Sequence, residues 1–399
     1  MTTCRRVEMP GRINGGSIPT MNSLISAFAV VLMLTCLPAG AAGPDPATQA
    51  LIEQLRLDEA ERPVRESPGW ERPEKIVVMI PSARWGLRDE LLESLGKVSD
   101  GIEIVTVTGQ EFSAEQITIL GEAEVILGIC SPQLIRIAKN LRWLQHFGTG
   151  VDRCLLSPEA KQADFILTNS QHTAGPPIAE HVIAMLMMLT RNLQYFHHLQ
   201  QEQVWQRPPD TPSPMIEISG KTMLVVGLGG IGTEVARRAA ALGMRVIATR
   251  RSGREGPEFV DYVGLSDELP ELAAQAHVVV NTLPLTRETT GIFGREFFAA
   301  VRQGAYFISI GRGRNTDTAE LIAALKSGRL AGAGLDVTDP EPLTEGHELW
   351  TLPNVIITPH ISYMTDQGFE RNRIVITENL RRYINGERML NVVDIGRGY

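Results

Sequence analysis

A short glycine string constrains the fold of this chain more than any other feature of its sequence. Gly227-Leu-Gly-Gly-Ile-Gly232 follows a strand-like apolar run, Thr222–Val226, and opens a helix-like run that ends near Leu242. In such a turn the first glycine permits a tight bend, the second lets the backbone approach a pyrophosphate, and the third lets helix and strand pack closely. Because strand and helix are both present, the string predicts a Rossmann-type dinucleotide site rather than an inert turn. The predicted cofactor contacts in it are Gly227, Gly229, Gly230, Ile231 and Gly232.

Strand-like and helix-like runs alternate on both sides of a long apolar helix, predicted from Ile178 to about Gln203. The predicted strands are 76–80, 102–107, 124–129 and 141–146 before this helix, and 222–226, 245–249, 277–282, 305–310, 332–336 and 355–358 after it. A last helix is predicted over 365–384. This alternation indicates βαβ units with parallel strands. We therefore predict an α/β fold of two doubly wound parallel-sheet domains with a ligand-binding cleft between them.

The composition restricts the possible partners. The chain has 399 residues, of which 43% are hydrophobic and 21% charged, so it is long enough for two or three globular domains. Its formal net charge of −8 argues against a nucleic-acid partner. The four cysteines form no CxxC and no cluster with histidine, which argues against a metal site. Cys130 and Cys154 are expected to be buried thiols, and a disulfide between them is left open.

Residues 1–42 have the layout of a secretory signal. Arginines at positions 5, 6 and 12 precede an uncharged apolar run, Leu24–Leu37, and small residues follow at 39–42. The run is shorter than the ~20 residues that cross a bilayer. We expect export to the periplasm; the alternatives are a start at Met21, which would leave the protein cytoplasmic, or an uncleaved leader that anchors it to a membrane. Residues 43–73 are interpreted as a linker or surface arm.

The strand after the glycine string ends in Arg250-Arg251-Ser252, where an acidic residue for the ribose 2′-hydroxyl is usual. A carboxylate there would repel a 2′-phosphate, whereas an arginine forms charge-assisted hydrogen bonds with it. These residues therefore predict binding of NADP(H) in preference to NAD(H), with NAD still possible. The alternative is a solvated turn in an arginine-rich chain.

Three later strands each end beside one ionisable side chain, namely Arg312, Glu341 and His360. This catalytic trio has the chemistry that reduction of a 2-oxo acid requires. Arg312 can hold the substrate, and His360 can donate a proton to the developing alkoxide. Glu341 can hold the imidazolium and stabilise its charge.

At this point the chain closely resembles the D-isomer-specific 2-hydroxyacid dehydrogenases, over about residues 76–391. The motifs that carry the resemblance are Gly148-Thr-Gly-Val-Asp152, Ala179-Glu-His181, the glycine string, Leu283-Pro-Leu-Thr286 with Thr289, Gly311-Arg-Gly313, Leu335-Asp-Val337 with Glu341, and Pro353-Asn354 through Pro359-His360. The family's catalytic Arg, Glu and His fall on Arg312, Glu341 and His360. Arg250 makes the chain look like the glyoxylate and hydroxypyruvate reductase branch.

The resemblance implies further contacts. Those with the nicotinamide would come from Leu283, Pro284, Thr289, Ile310, Gly311 and Asp336. Backbone amides of the loop at Cys130 and Ser131 would grip the substrate carboxylate. The resemblance also implies a flavodoxin-like substrate domain of residues 74–174 plus 363–399, an inserted NAD(P)-binding Rossmann domain of residues 175–362, and a homodimer formed through the long helix.

Besides Arg250, the chain departs from the family pattern at two further places. Ser362-Tyr363 stands after the catalytic His-Ile where two small residues are common, and Asn315-Thr316 stands where an apolar pair is usual. Arg84-Trp85 either shapes the substrate pocket or is a surface loop, and His146 is expected not to face the cleft.

The sequence as a whole predicts an oxidoreductase that reduces a small 2-oxo acid, of the glyoxylate or hydroxypyruvate type, to the 2-hydroxy acid. Hydride would come from the nicotinamide, and His360 would act as the general acid. The alternative is a dinucleotide-sensing module of the same fold that acts through protein contacts, as corepressors of this family do.

Overall fold

The structure, a computed structural model, describes residues 43–80, 88–109, 111–155, 158–162, 164–207 and 214–396. The predicted leader and Arg84-Trp85 lie outside the described residues. Within these described ranges, no helix is both long enough and apolar enough to cross a membrane.

The first half of the described chain forms a parallel sheet. Its strands are β1 (Lys75–Ile80), β2 (Glu103–Thr108), β3 (Val125–Gly128), β4 (Trp143–His146) and β5 (Ile166–Thr168). Their spatial order, β2-β1-β3-β4-β5, is the flavodoxin-like doubly wound order. Val77 and Ile126 are fully buried on one face, and Ile76 and Trp143 on the other. Burial of both faces is typical of parallel sheets covered by helices.

Helices connect these strands and follow the local sequence signals. They are α1 (Pro46–Leu55), α2 (Arg88–Val98), α3 (Ala114–Glu122), α4 (Pro132–Ile137), α5 (Asp152–Leu155) and α6 (Pro158–Gln162). Ser113 and Gln116 form a capping box at the start of α3, because each side chain bonds the other's backbone amide. Ser131 caps α4 in front of a proline in its first turn.

The second half forms a larger parallel sheet. Its strands are β6 (Thr222–Val226), β7 (Arg245–Thr249), β8 (Tyr262–Gly264), β9 (Val278–Asn281), β10 (Ala305–Ser309), β11 (Leu330–Leu335) and β12 (Val355–Ile357). The order is β12-β11-β10-β9-β6-β7-β8, so the chain reverses its direction of travel between β6 and β9. This is the Rossmann order with its switch point at the glycine string, and the predicted fold class is confirmed.

The helices of the second half are α7 (Gly175–Arg191), α8 (Leu193–Gln201), α9 (Gly230–Ala241), α10 (Leu269–Gln275), α11 (Arg295–Ala300), α12 (Thr318–Lys326) and α13 (Asp366–Ile384). Helix α7 packs on the second sheet through Met185 and Leu189. Helix α13 returns to the first sheet, where Tyr383 stacks on Trp143 with ring centroids 4.6 Å apart.

The predicted long helix over 178–203 is wrong in one respect, because the chain breaks it at Asn192. This residue has the left-handed conformation (φ 53°, ψ 34°), and its amide donates to the carbonyls of Leu189 and Met188. Asparagine tolerates this conformation better than other non-glycine residues, so it ends α7 and starts α8. Strands β5 and β8 and several short helices were not predicted, because runs of three to seven residues carry too little periodicity.

Of the two interpretations of residues 43–73, a linker or a surface arm, the contacts favour the arm, because the segment is packed on the C-terminal part of the chain. Leu57 is buried against Val375 and Leu390. The amide of Ala60 donates to Met389 O (2.8 Å), and the Trp70 indole donates to Tyr383 O (3.1 Å). These contacts make the segment part of the fold.

Replacement of Leu57 by alanine tests this packing. We expect Leu57→Ala to lower the free energy of unfolding by about 2–4 kcal/mol, because a buried leucine leaves a cavity. Leu193→Ala is the control, since Leu193 is 49% exposed, and its effect should stay within about 0.5 kcal/mol. The measurement is urea unfolding followed by circular dichroism. Equal effects of the two variants would show that the arm is not packed.

Candidate active site

Three neighbouring strands bring the predicted catalytic trio to one edge of the second sheet. Arg312 follows β10, Glu341 follows β11, and His360 follows β12. Because β10, β11 and β12 are adjacent and parallel, their carboxyl ends lie side by side.

His360 and Glu341 form a hydrogen-bonded pair. The distance from His360 Nδ1 to Glu341 Oε1 is 2.9 Å. This hydrogen bond holds the pKa of Glu341 below its ordinary value, although partial burial opposes the shift. With Nδ1 bonded to a carboxylate, Nε2 is the ring nitrogen left to exchange a proton with a substrate.

The carboxylate of Asp336 anchors the turn that carries His360. It is buried and accepts hydrogen bonds from the Thr358 hydroxyl (2.6 Å) and from the amides of Ile361 (3.0 Å) and Ser362 (3.1 Å). Burial raises the pKa of Asp336, but these hydrogen bonds outweigh it and leave the pKa below its ordinary value. The carboxylate therefore holds the backbone of this turn, and its implied contact with the nicotinamide stays a prediction.

Hydrogen bonds connect Asp336 to the Ala179-Glu180-His181 motif through Thr358. His181 Nε2 lies 3.0 Å from the Thr358 hydroxyl, which itself donates to Asp336. His360 adopts a positive φ of 54°, and its amide donates to Asp336 O (2.8 Å). A non-glycine residue keeps this conformation only where the surroundings enforce it, and Asp336 supplies that enforcement.

Arg312 is held by two groups. Its Nε donates to Asp152 Oδ1 (2.8 Å), and its Nη1 donates to Gly311 O (2.7 Å). Gly150 lies against the guanidinium, since a Cβ at this position would be 1.5 Å from Nη2. The Gly148–Asp152 motif thus packs around Arg312, the predicted catalytic arginine.

Asn315, noted only as a departure from the family pattern, connects the catalytic arginine to the predicted nicotinamide loop. Its side chain is fully buried, and Oδ1 accepts from the Arg312 amide (2.9 Å). Its Nδ2 donates to Thr289 O (3.2 Å) and Pro284 O (3.4 Å). An apolar residue could not make these bonds, so in this chain Asn315 ties the loop after β10 to the loop after β9 in a way that the usual apolar residue cannot.

The other predicted nicotinamide contacts lie on adjacent loops. The Thr289 hydroxyl donates to Pro284 O (2.7 Å) and closes that loop, and the Ile310 amide donates to Asn281 O (3.1 Å). A Cβ at Gly311 would lie 2.6 Å from Leu283 O, so the loops after β9 and β10 are in direct contact there.

The glycine string has the geometry of a phosphate-binding turn. Gly227 has a φ of 102°, and a Cβ at Gly232 would lie 2.1 Å from Gly227 O, so both positions require glycine. A Cβ at Gly230 would meet the His172 ring at 2.5 Å. At Gly229, by contrast, nothing lies within 4 Å of an added Cβ. Ile231 lies in the first turn of α9. The open space beside this turn fits a dinucleotide pyrophosphate.

The predicted phosphate-recognition residues Arg250, Arg251 and Ser252 are exposed at the carboxyl end of β7. The Thr249 carbonyl accepts hydrogen bonds from the amides of Gly227 and Leu228, which places Arg250 next to the glycine string. Arg250 Nη1 donates to Glu255 O (3.2 Å).

The predicted substrate loop needs a correction at Cys130. Its amide donates to His146 Nδ1 (3.1 Å), so this amide is used within the protein and not presented to a substrate. Cys130 is also joined to Cys154 by a disulfide, with a Cα–Cα distance of 5.4 Å, which is the alternative to two buried thiols that the sequence left open. Ser131 caps α4 with its hydroxyl, 3.2 Å from the Leu134 amide.

His146 links the loop at Cys130 to the loop at Gly150 through a hydrogen bond to each. Because Nδ1 accepts from Cys130, Nε2 carries the hydrogen and donates to Gly150 O (3.1 Å). The ring is buried, and burial lowers the pKa of His146 to about 4, so it is neutral at pH 7.

In the described residues we find no group of three or more His, Cys, Asp or Glu that could hold a metal ion.

Comparison with known proteins identifies the family of this chain. A family model described as "D-isomer specific 2-hydroxyacid dehydrogenase, NAD binding domain" matches residues 183–362. A glyoxylate reductase of Pyrococcus furiosus is 30% identical over 75% of this chain and 83% of its own length. The chain therefore belongs to the D-isomer-specific 2-hydroxyacid dehydrogenase family.

Two further relatives show the range of the family. A D-3-phosphoglycerate dehydrogenase of Archaeoglobus fulgidus is 29% identical over 80% of this chain, but the match spans only 59% of that relative. The crystal structure of an NADPH-dependent glyoxylate/hydroxypyruvate reductase from Sinorhizobium meliloti, in complex with NADP and sulfate, superimposes with a TM-score of 0.69 at 26% identity. The match covers 82% of this chain and the full length of the Sinorhizobium meliloti chain.

The neutral state of His146 predicts a loss of stability in acid. Between its folded pKa of about 4 and the ordinary 6.5, the unfolded chain binds the proton that the folded chain excludes. The free energy of unfolding should therefore fall as the pH falls through this range, by about 3 kcal/mol from this group.

The test is urea unfolding of wild type and His146→Gln between pH 7.5 and 4. The variant cannot titrate here, so its stability should depend less on pH than that of the wild type. His198→Gln is the control, because the His198 side chain is 65% exposed, and it should keep the wild-type dependence. Parallel curves for wild type and His146→Gln would contradict a buried neutral imidazole.

Proposed function

We propose that the protein is an NADPH-dependent reductase of a small 2-oxo acid. The observation that carries this proposal is the hydrogen-bonded His360–Glu341 pair beside Arg312, on the sheet that also carries the glycine string. The reaction would consume one 2-oxo acid, one reduced nicotinamide and one proton, and yield the 2-hydroxy acid and the oxidised nicotinamide. Glyoxylate and hydroxypyruvate are the proposed substrates, as the names of relatives with this fold support.

His360 is the proposed general acid. When bound, the reduced nicotinamide supplies a hydride to the carbonyl carbon. His360 Nε2–H donates its proton to the carbonyl oxygen as negative charge develops there, and the Glu341 carboxylate at Nδ1 stabilises the charged ring before the transfer. A proton from solvent then restores the imidazolium.

Arg312 is the proposed anchor of the substrate. Its guanidinium is the positively charged member of the trio, and a fork of N–H donors matches a carboxylate. Because its backbone amide donates a hydrogen bond to the buried Asn315, the backbone of Arg312 is held in one place. A held substrate presents its carbonyl carbon in one orientation, which speeds a reaction whose partners must be aligned.

The proposed preference for NADPH rests on Arg250, with Arg251 and Ser252 beside it. All three are exposed next to the glycine string, where the adenosine ribose of a bound dinucleotide would lie. The basic pair attracts a 2′-phosphate and gives no acceptor for a 2′-hydroxyl proton.

Steady-state kinetics of Arg250→Ala test this preference. We expect the KM for NADPH to rise about tenfold or more, because one charge-assisted hydrogen bond is lost. The KM for NADH should change little. Arg295→Ala is the control, since Arg295 is 85% exposed and pairs with Glu320 away from this strand end. A wild type that prefers NADH would contradict the assignment.

Replacement of His360 tests the chemistry. We expect His360→Ala to lower kcat for glyoxylate or hydroxypyruvate about 10²- to 10⁴-fold, because a positioned general acid is removed. Its affinity for NADPH, measured by fluorescence titration, should equal that of the wild type. A wild type that binds NADPH but reduces no 2-oxo acid would sink the proposal.

A further inference from the structure

The short helix α5 sets two charged residues against the two charged partners in the catalytic trio. Asp152 Oδ1 accepts a hydrogen bond from Arg312 Nε (2.8 Å), and Arg153 Nη2 lies 3.6 Å from Glu341 Oε1. Consecutive residues of opposite sign on α5 thus match residues of opposite sign on the loops after β10 and β11. Because α5 belongs to the first half of the chain, these pairs join the two halves at the site.

The pair of Asp152 and Arg312 is the stronger of the two. Its side chains are 13% and 25% exposed, whereas Arg153 is 78% exposed. Limited exposure reduces screening by water and salt, and an exposed ion pair contributes little. Arg312 Nη1 also donates to Gly311 O (2.7 Å), so two of its three nitrogens are bound and the plane of the guanidinium is fixed.

The surroundings of Asp152 are themselves fixed. Cys154, two residues further on, is bonded to Cys130. Gly150, two residues earlier, accepts from the buried His146, and a Cβ added there would lie 1.5 Å from Arg312 Nη2. Residues on both sides of Asp152 are therefore tied to other segments, which holds the backbone that carries its carboxylate.

We propose that Asp152 is a positioning residue for substrate binding, which orients the Arg312 guanidinium so that its remaining N–H groups face the substrate carboxylate. The inference rests on the proposed function of this site. A free arginine side chain samples many rotamers, and ordering it on binding weakens affinity. Asp152 orders it beforehand.

The positioning role and charge repulsion alone predict opposite changes in the KM for the 2-oxo acid when Asp152 is removed. A carboxylate near an anionic substrate repels it, so removal of Asp152 should tighten binding if charge alone mattered. If orientation matters more, the same removal weakens binding. The sign of the change in KM therefore separates the two effects.

The variants are Asp152→Ala, Asp152→Asn and the control Glu159→Gln, which removes a carboxylate from neighbouring α6. We expect Asp152→Ala to raise the KM for the 2-oxo acid about tenfold, the effect of losing one charge-assisted hydrogen bond. Asp152→Asn should restore most of the affinity, because its amide oxygen still accepts from Arg312 Nε. NADPH affinity should match the wild type in all three variants, which shows that each variant folds.

A second readout does not depend on turnover. Oxalate, a planar dicarboxylate, is titrated by calorimetry into the protein saturated with NADP+, and Asp152→Ala should bind it about tenfold more weakly. An unchanged or lower KM together with unchanged or tighter oxalate binding overturns the positioning role. If no 2-oxo acid is reduced by wild type, the proposed function fails, and the oxalate titration still decides the role of Asp152.

Discussion

The parallel direction of every strand in the second sheet is the constraint on which the whole site depends. Seven parallel strands place seven carboxyl ends at one edge, and each loop that leaves this edge can carry a functional group. Loops after β6 and β7 carry the glycine string and Arg250, and loops after β10, β11 and β12 carry the proposed catalytic trio. Because β9 stands between these two groups of strands, its loop at Leu283 and Pro284 lies between the proposed pyrophosphate site and the proposed reaction centre.

Buried polar side chains then give these loops their positions. Asp336 and Asn315 are each less than 2% exposed, and both form hydrogen bonds with backbone groups of the loops around the site. A buried polar group that loses its partners destabilises a protein, so each of these side chains enforces one loop conformation. The side chains of the proposed catalytic trio are partly exposed, whereas Asp336 and Asn315, which hold their loops, are buried.

Sequence patterns pointed to the candidate catalytic residues, because these residues stand in motifs whose spacing is local. The glycine string, Arg312, Glu341 and His360 all follow predicted strands, and the structure brings the last three to adjacent strand ends. The patterns did not reveal what Asp152, Asn315 or His146 do. Each of these acts through a partner between 3 and 160 residues away, and no periodicity connects such positions.

The sequence by itself determined the α/β class and the family and predicted the catalytic side chains, because alternating apolar runs and glycine-rich turns are encoded over a few neighbouring residues. Only the tertiary structure decided that the Cys130 amide is used by His146, that residues 43–73 are packed on α13, and that Asp152 meets Arg312. These contacts join segments far apart in the chain. Their existence depends on how the two sheets and their helices come together, which is a property of packing and not of local sequence.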